Sequence, residues 1–213
     1  MMYNIITLKI KLIALNNIYG GCIKMKKKKF KLVIDYDNTM VNSSRTIINK
    51  LHWKNRHDRD NSFSYDPKEL QWDFSPYAKT EEDRLWCVNQ FNEQSFYDDL
   101  EPMRNCKEVL KKLHDKYEII VCSNRSSSNA EMFLMSVHNL FGDLIDKIII
   151  VDDFNKGEYI KADIRIDDKA DCMNDEESIN ILFGDYGYSD SKSDNVDYVV
   201  KDWNEVFKFI KNY

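Results

Sequence analysis

Residues 31–40 read KLVIDYDNTM, a short apolar run ending in two aspartates one residue apart, Asp35 and Asp37, followed at once by Asn38 and Thr39. The run KLVIDY has the unbroken apolar character of a buried strand. Two carboxylates crowded at its end repel each other and lose hydration, so something must compensate for them. Four further runs have the same texture: YEIIVCS (117–123), DKIIIVD (146–152), ADIRID (162–167) and INILF (179–183). Their continuous Ile/Val content predicts a parallel sheet covered on both faces.

Helical patterns separate these runs. Pro102 suits a first helical position, and Val109, Leu110 and Leu113 form a core-facing stripe ending near Lys116. Met132, Phe133, Leu134, Val137 and Leu140 predict a second helix ahead of Gly142, and Trp203, Val206, Phe207 and Ile210 a last one. Strand and helix in alternation give an α/β fold with a three-layer Rossmann-like core. Ligands in such folds bind beyond the carboxyl ends of the strands. Asp35, Asp37, Ser123, Asp167 and Asp168 all fall there.

From about 42 to 99 the rhythm breaks. No buried strand is legible, yet aromatics abound, and Thr80 before Glu81, Glu82 and Asp83 marks a capped, acid-rich helix start. The interval reads as a small helical cap inserted after the first strand. The expected organisation is an N-terminal extension at 1–24, a catalytic core at 25–41 and 100–213, and the cap at 42–99. The extension is moderately apolar but interrupted by Lys9 and Lys11, too broken for a membrane span. Met25, just ahead of the first strand, looks like a natural start. A lipoprotein-type cleavage before Cys22 is disfavoured by Tyr19.

Composition narrows the function. Of 213 residues, 43% are hydrophobic, 13% aromatic and 31% charged, enough for a real core under a polar surface. A net charge of -5 disfavours general binding to nucleic acid backbones or anionic membranes. The five cysteines (22, 87, 106, 122 and 172) are odd in number and scattered without a CxxC pair. That argues for reduced thiols in a cytoplasmic setting and against a structural zinc site. His52 and His57, in a polar basic stretch, read as surface residues.

The residues now carry a resemblance. The segment DYDNT after a strand, IIVCS at a strand end, a lysine at 156 or 161 and IRIDD after a strand stand in the order of the four motifs of haloacid dehalogenase-like phosphatases. The resemblance implies magnesium shared by Asp35, Asp37, Asp167 and Asp168, with Asp37 contributing its backbone carbonyl. It implies Asp35 as the nucleophile that forms an aspartyl-phosphate and Asp37 as the acid that protonates the leaving alcohol and then activates water. Ser123 would hydrogen-bond the phosphoryl group, and the lysine would neutralise its charge. The cation then answers the crowding of the aspartates.

Plainer readings stand beside these. DYDNT favours turns by composition alone, Ser123 could merely cap the next helix, and single lysines are usually solvated. Asp152-Asp153 is a second acidic pair after a strand. Asp167-Asp168 is preferred because a lysine then lies between the second and fourth motifs. Lys156 is preferred because Lys161 lies close to the next strand. Asn38 stands where many relatives have glycine, and Asn tolerates a left-handed backbone.

Within that superfamily the chain is similar to the 5'(3')-deoxyribonucleotidase family over nearly all of residues 30–211. FYDDLEPM resembles the join from cap to core, ADIRIDDKAD the fourth motif, and VKDWNEVFKFI the last helix. The resemblance implies a nucleoside monophosphate as small-molecule substrate, with Asp168 as the last metal ligand and Asp167 supporting. It implies substrate contacts from Thr39, Trp72, Tyr97, Asn124 and Arg125. A base stacks well on an aromatic face, although most of the cap's aromatics should simply fill its own core. Ser43 stands where the family has an aromatic wall, and Asn124-Arg125 replaces Ser-Pro, which bears on base and sugar preference. No stable nucleic acid binding is expected, and a homodimer is admitted. The rivals are a phosphatase of the same scaffold acting on another small phosphomonoester or a polynucleotide end, and a non-enzymatic binding protein.

Overall fold

The computed structural model describes residues 30–55, 64–152 and 155–213. The proposed extension, Cys22, Met25, His57 and Asp153 lie outside the described residues. Six parallel strands form one sheet: β1 (Phe30–Ile34), β2 (Tyr117–Asn124), β3 (Lys147–Val151), β4 (Ile164–Asp167), β5 (Ile179–Phe183) and β6 (Tyr198–Val200), in the spatial order β3-β2-β1-β4-β5-β6. The five expected runs are β1 to β5, trimmed by a residue or two at some ends. β6 was not expected. It is an edge strand of three residues with Tyr198 and Val199 exposed, too short and too lightly buried to give a periodic signal.

Alternation along β1 sends Leu32 and Ile34 to one face and Val33 to the other. The first face carries the main core and receives α4 (Cys106–Leu113) through Val109, Leu110 and Leu113. It also receives α5 (Ala130–Phe141) through Phe133 and Val137, and α7 (Trp203–Ile210) through Trp203 and Val206. Gly142 ends α5 at φ 51, in the left-handed region that glycine enters without steric cost. The second face is smaller: Val33, Ile120, Cys122 and Val151 pack with Ala162 and Ile160. A four-residue helix, α6 (Lys156–Tyr159), also lies between β3 and β4.

Residues 43–98 contribute α1 (Ser43–Lys54), α2 (Glu81–Asn89) and α3 (Gln94–Asp98), and no strand of the sheet among the described residues. Thr80 caps α2 as its sequence announces, its hydroxyl accepting from Asp83 N at 3.1 Å. The two chain segments flanking this interval run side by side: Met103 N donates to Met40 O at 2.8 Å and Asn42 N to Glu101 O at 3.1 Å. That pairing corrects one expectation. Pro102 sits in a bridge with Val41 rather than at a helix start, and α4 begins at Cys106 after Asn105 at φ 65. Described cysteines 87, 106, 122 and 172 are all buried and free. No helix of the described residues is long and apolar enough to cross a membrane.

Candidate active site

The central strands deliver the acids. β1 lies between β2 and β4, with Ile34 in register with Ile166, so Asp35 and Asp167 leave the sheet as neighbours. Asp35 N donates to Ile166 O at 2.9 Å, which extends the ladder to the residue itself. Asp35, Asp167 and Asp168 are buried, with a carboxylate oxygen of each within 4.8 Å of the others. Burial, and then the charges of Asp167 and Asp37, push the Asp35 carboxyl up to about 7 although Lys156 opposes them. Asp168 is likewise raised, by burial first and by Asp35 and Asp167 after it.

One ammonium group answers two of these acids. Lys156 Nζ donates to Asp35 Oδ1 and, at 2.8 Å, to Asp167 Oδ2, with the lysine itself buried. Burial disfavours the ammonium, but Asp167 and Asp35 more than offset it and hold Lys156 above the usual lysine range. The next residue packs closely: a Cβ on Gly157 would lie 3.0 Å from the backbone carbonyl carbon of Asn174, tighter than a side chain ordinarily tolerates. Lys161 lies apart, two-thirds exposed and paired with Asp175 at 3.0 Å. Asp152 is exposed at the end of β3.

Asp37 faces a different set of groups. Its carboxylate accepts from Ser43 Oγ on one oxygen and from Arg125 Nη2 on the other. Arg125 is buried, gives Nη1 to Asn124 O at 2.7 Å, and lies over the Phe133 ring at 4.7 Å. The turn that carries Asp37 is tight, with Met40 N donating to Tyr36 O at 2.9 Å. Asn38 holds φ 53 there, in the region where Asn is tolerated. Its side chain secures the start of α1 by accepting from Ser44 N and donating to Ser44 Oγ, both at 2.9 Å.

Around these groups lies a cavity of about 320 Å³, lined by Asp35, Asp37, Ser123, Lys156, Asp167 and Asp168 at one part. Trp72, Phe74, Val88 and Phe91 line it from the 43–98 interval, and Asn124, Arg125 and Tyr188 also reach it. Ser123 Oγ is buried here without a hydrogen-bond partner, free to meet an oxygen of a ligand. Trp72 is half-exposed, edge-on to Tyr188 at 5.7 Å, with Lys169 Nζ 5.2 Å from its ring centre.

Two expected contacts fall elsewhere. Thr39 is fully buried outside the lining, its carbonyl accepting from Trp203 Nε1 at 2.9 Å. Tyr97 is also outside it, its ring against Phe96 and its hydroxyl donating to Phe91 O at 3.0 Å. Thr39 is held by packing with its own hydroxyl buried and unpartnered, while Tyr97 adjoins the site through Arg125, which interacts with its hydroxyl.

Sequence reasoning missed Tyr188, which donates to Asp168 Oδ2 and accepts from Asn38 Nδ2 at 2.9 Å, and Tyr186, which donates to Asn38 O at 2.8 Å. Both sit in the turn-rich stretch GDYGYSD, where two tyrosines among glycines and aspartates were the available signal.

The donor set suits a small hard cation. Buried carboxylate oxygens of Asp35, Asp167 and Asp168 converge, and only Lys156 among the described cations pairs with them in the structure. The class of protein follows from fold and site together: a parallel α/β sheet, a D-x-D turn after the first strand, a serine near the end of the second, a buried lysine and an acidic pair at the end of the fourth make a haloacid dehalogenase-like phosphatase. The family described as 5' nucleotidase, deoxy (pyrimidine), cytosolic type C protein matches residues 28–213. The chain belongs to this family and is a phosphoric monoester hydrolase.

Solved structures agree on the fold. A haloacid dehalogenase-like family hydrolase from Streptococcus pneumoniae superposes with TM-score 0.54 at 15% identity, over 85% of this chain and 98% of its own. A haloacid dehalogenase superfamily hydrolase from Ehrlichia chaffeensis gives 0.52 at 17% identity, over 88% and 98%. A protein designated a phosphoglycolate phosphatase, from Lactobacillus delbrueckii subsp. bulgaricus, gives 0.56 at 13% identity, over 86% and 98%. No curated protein matches the chain.

Proposed function

We propose that the chain is a magnesium-dependent nucleotidase that hydrolyses nucleoside 5'(3')-monophosphates in the cytoplasm, with residues 42–99 acting as a substrate cap over the core. The observation that carries this is one continuous cavity with a buried Asp35–Lys156 pair and the orphaned Ser123 hydroxyl at one part and Trp72, Phe74, Val88 and Phe91 at another. Such a space fits a molecule with a phosphate at one end and a flat apolar ring at the other. The family's description supports the same substrate class and the cytosolic location.

In this reading Asp35 attacks phosphorus, the P–O bond to the nucleoside breaks, and the leaving oxygen takes a proton from Asp37. Asp37 then accepts a proton from the water that opens the aspartyl-phosphate, returning both acids to their starting state. Lys156 and Ser123 hold the transferring oxygens as their charge shifts. Asp35, Asp167, Asp168 and the Asp37 carbonyl would hold magnesium, which supplies charge neutralisation for the anionic ester. Arg125 keeps the Asp37 carboxylate aimed from one side while Ser43 holds it from the other.

The test is phosphate release from a panel of nucleoside monophosphates and unrelated phosphomonoesters, with magnesium or with EDTA, beside Asp35→Asn. Magnesium-dependent turnover concentrated on a few nucleotides and lost in the variant is the expected result. Broad turnover without nucleotide preference would remove the substrate assignment, and no turnover on any ester would overturn the reading.

A further inference from the structure

At the start of α5 stands an asparagine that does not behave as a helix cap. Asn129 occupies the N-cap position, where a side-chain oxygen ordinarily accepts from an N–H of the first turn, yet it makes no such bond. The residue is only 7% exposed, it lines the cavity, and its Oδ1 has no hydrogen-bond partner. A buried carbonyl oxygen without a donor is costly, so such an atom is kept where a donor arrives.

Its orientation is set by a neighbour from the 43–98 interval. Asn129 Nδ2 reaches Asn92 Oδ1 at 3.4 Å, and Ser128 Oγ donates to the same oxygen at 3.3 Å. Asn92 belongs to the 43–98 interval and lines the cavity beside Phe91 and Val88. With its amide nitrogen turned to Asn92, Asn129 keeps its carbonyl oxygen as its one side-chain polar atom without a partner. That oxygen can only accept, so its ligand must bring an N–H or O–H. Apolar side chains alone grip a flat ring without telling one edge from another.

We propose that Asn129 is a specificity-determining residue that accepts a hydrogen bond from an N–H on the edge of the nucleobase, with Asn92 holding its amide in orientation. The proposal rests on the nucleotidase reading and names what that site recognises in the base.

The experiment compares kcat/KM for the preferred nucleoside monophosphate with that for deoxyribose 5-phosphate, in the wild type and in Asn129→Leu. The nucleotide-to-sugar-phosphate ratio should fall about 10-fold in the variant, carried by KM, the worth of about one hydrogen bond. The same nucleotide methylated at its base N–H should lose a similar factor with the wild type and nothing further with Asn129→Leu. An equal fall on both substrates would mean that Asn129 merely supports the start of α5, and would overturn the proposal. So would wild-type indifference to base methylation, a result that needs no variant to fold. A wild type that prefers no nucleotide over deoxyribose 5-phosphate would instead remove the nucleotidase reading itself, and the proposal with it.

Discussion

Arg125 and Lys156 each neutralise part of the same acidic cluster, but they hold it differently. Lys156 is a point charge between Asp35 and Asp167, and its geometry asks only for proximity. Arg125 spans Asp37 with one nitrogen and the Asn124 carbonyl with another while its plane lies over Phe133. A lysine can supply the charge there but not the fork or the stack. Arg125→Lys should therefore fall close to Arg125→Leu in turnover. Both should lose about 100-fold in kcat, the scale of a misaligned catalytic group. Steady-state rates on the preferred nucleotide check this, with circular dichroism confirming the fold. Full recovery in Arg125→Lys would show that Arg125 matters only as a charge.

At the scale of elements, α7 tests how local sequence signals become tertiary structure. Asp202 caps it, accepting from Asn204 N at 2.8 Å and Glu205 N at 3.0 Å, and so aims Trp203 into the core, where its ring meets Phe183 at 5.8 Å. Asp202→Ala should destabilise the fold by about 1 kcal/mol, read as a lower urea midpoint with an unchanged slope. A neutral result would mean that the Trp203 indole, bonded to Thr39 O, fixes the helix by itself. The stripe Trp203, Val206, Phe207 and Ile210 was legible in VKDWNEVFKFI because its spacing is helical, whereas the Asp202 cap was not read. The four inner strands, β1, β2, β4 and β5, were legible because a strand buried on both faces writes its apolar character continuously, and the edge strand β3 was legible from its run of three isoleucines. β6 was not, because one edge is solvated and only Val200 of its three residues is buried. The start of α4 was misread because Pro102 is equally suited to the extended segment that pairs with Val41. In the site, Asp35, Asp37, Ser123 and the Asp167-Asp168 pair sit at or just beyond strand ends, and Lys156 opens α6 between β3 and β4, on the side where fold class alone forecasts ligands. Tyr188 and Asn129 were missed because their partners, Asn38 and Asn92 among them, come from distant stretches of the chain, and nothing in their own neighbourhoods records that.

The whole molecule carries the consequence of burying so many acids in one place. In the unfolded chain Asp35 ionises in the usual carboxylate range, near 3.8, whereas in the folded chain it does so at about 7. Between those values the folded state holds a proton that the unfolded state has released. Stability contributed by this group therefore declines as pH rises through that window and levels off above about 7. Asp168 is raised too and acts with the same sign. A cation at the cluster competes with that proton, so its affinity for the folded state grows as the acids ionise. Two results follow for thermal unfolding. Without metal, Tm should be lower at pH 8 than at pH 5.5 as far as these acids govern it. Excess magnesium should raise Tm by more at pH 8 than at pH 5.5, since a ligand that binds only the folded state stabilises by an amount that grows with the logarithm of its affinity. Calcium tested in parallel separates cation binding in general from a site shaped for the smaller ion. Asp168→Asn removes one of the raised carboxyls and should shrink both the metal-free pH dependence and the magnesium shift together. A magnesium shift that is equal at the two pH values, or that survives intact in Asp168→Asn, would mean that the ion binds elsewhere and that the crowding of Asp35, Asp167 and Asp168 is relieved by Lys156 and protons alone.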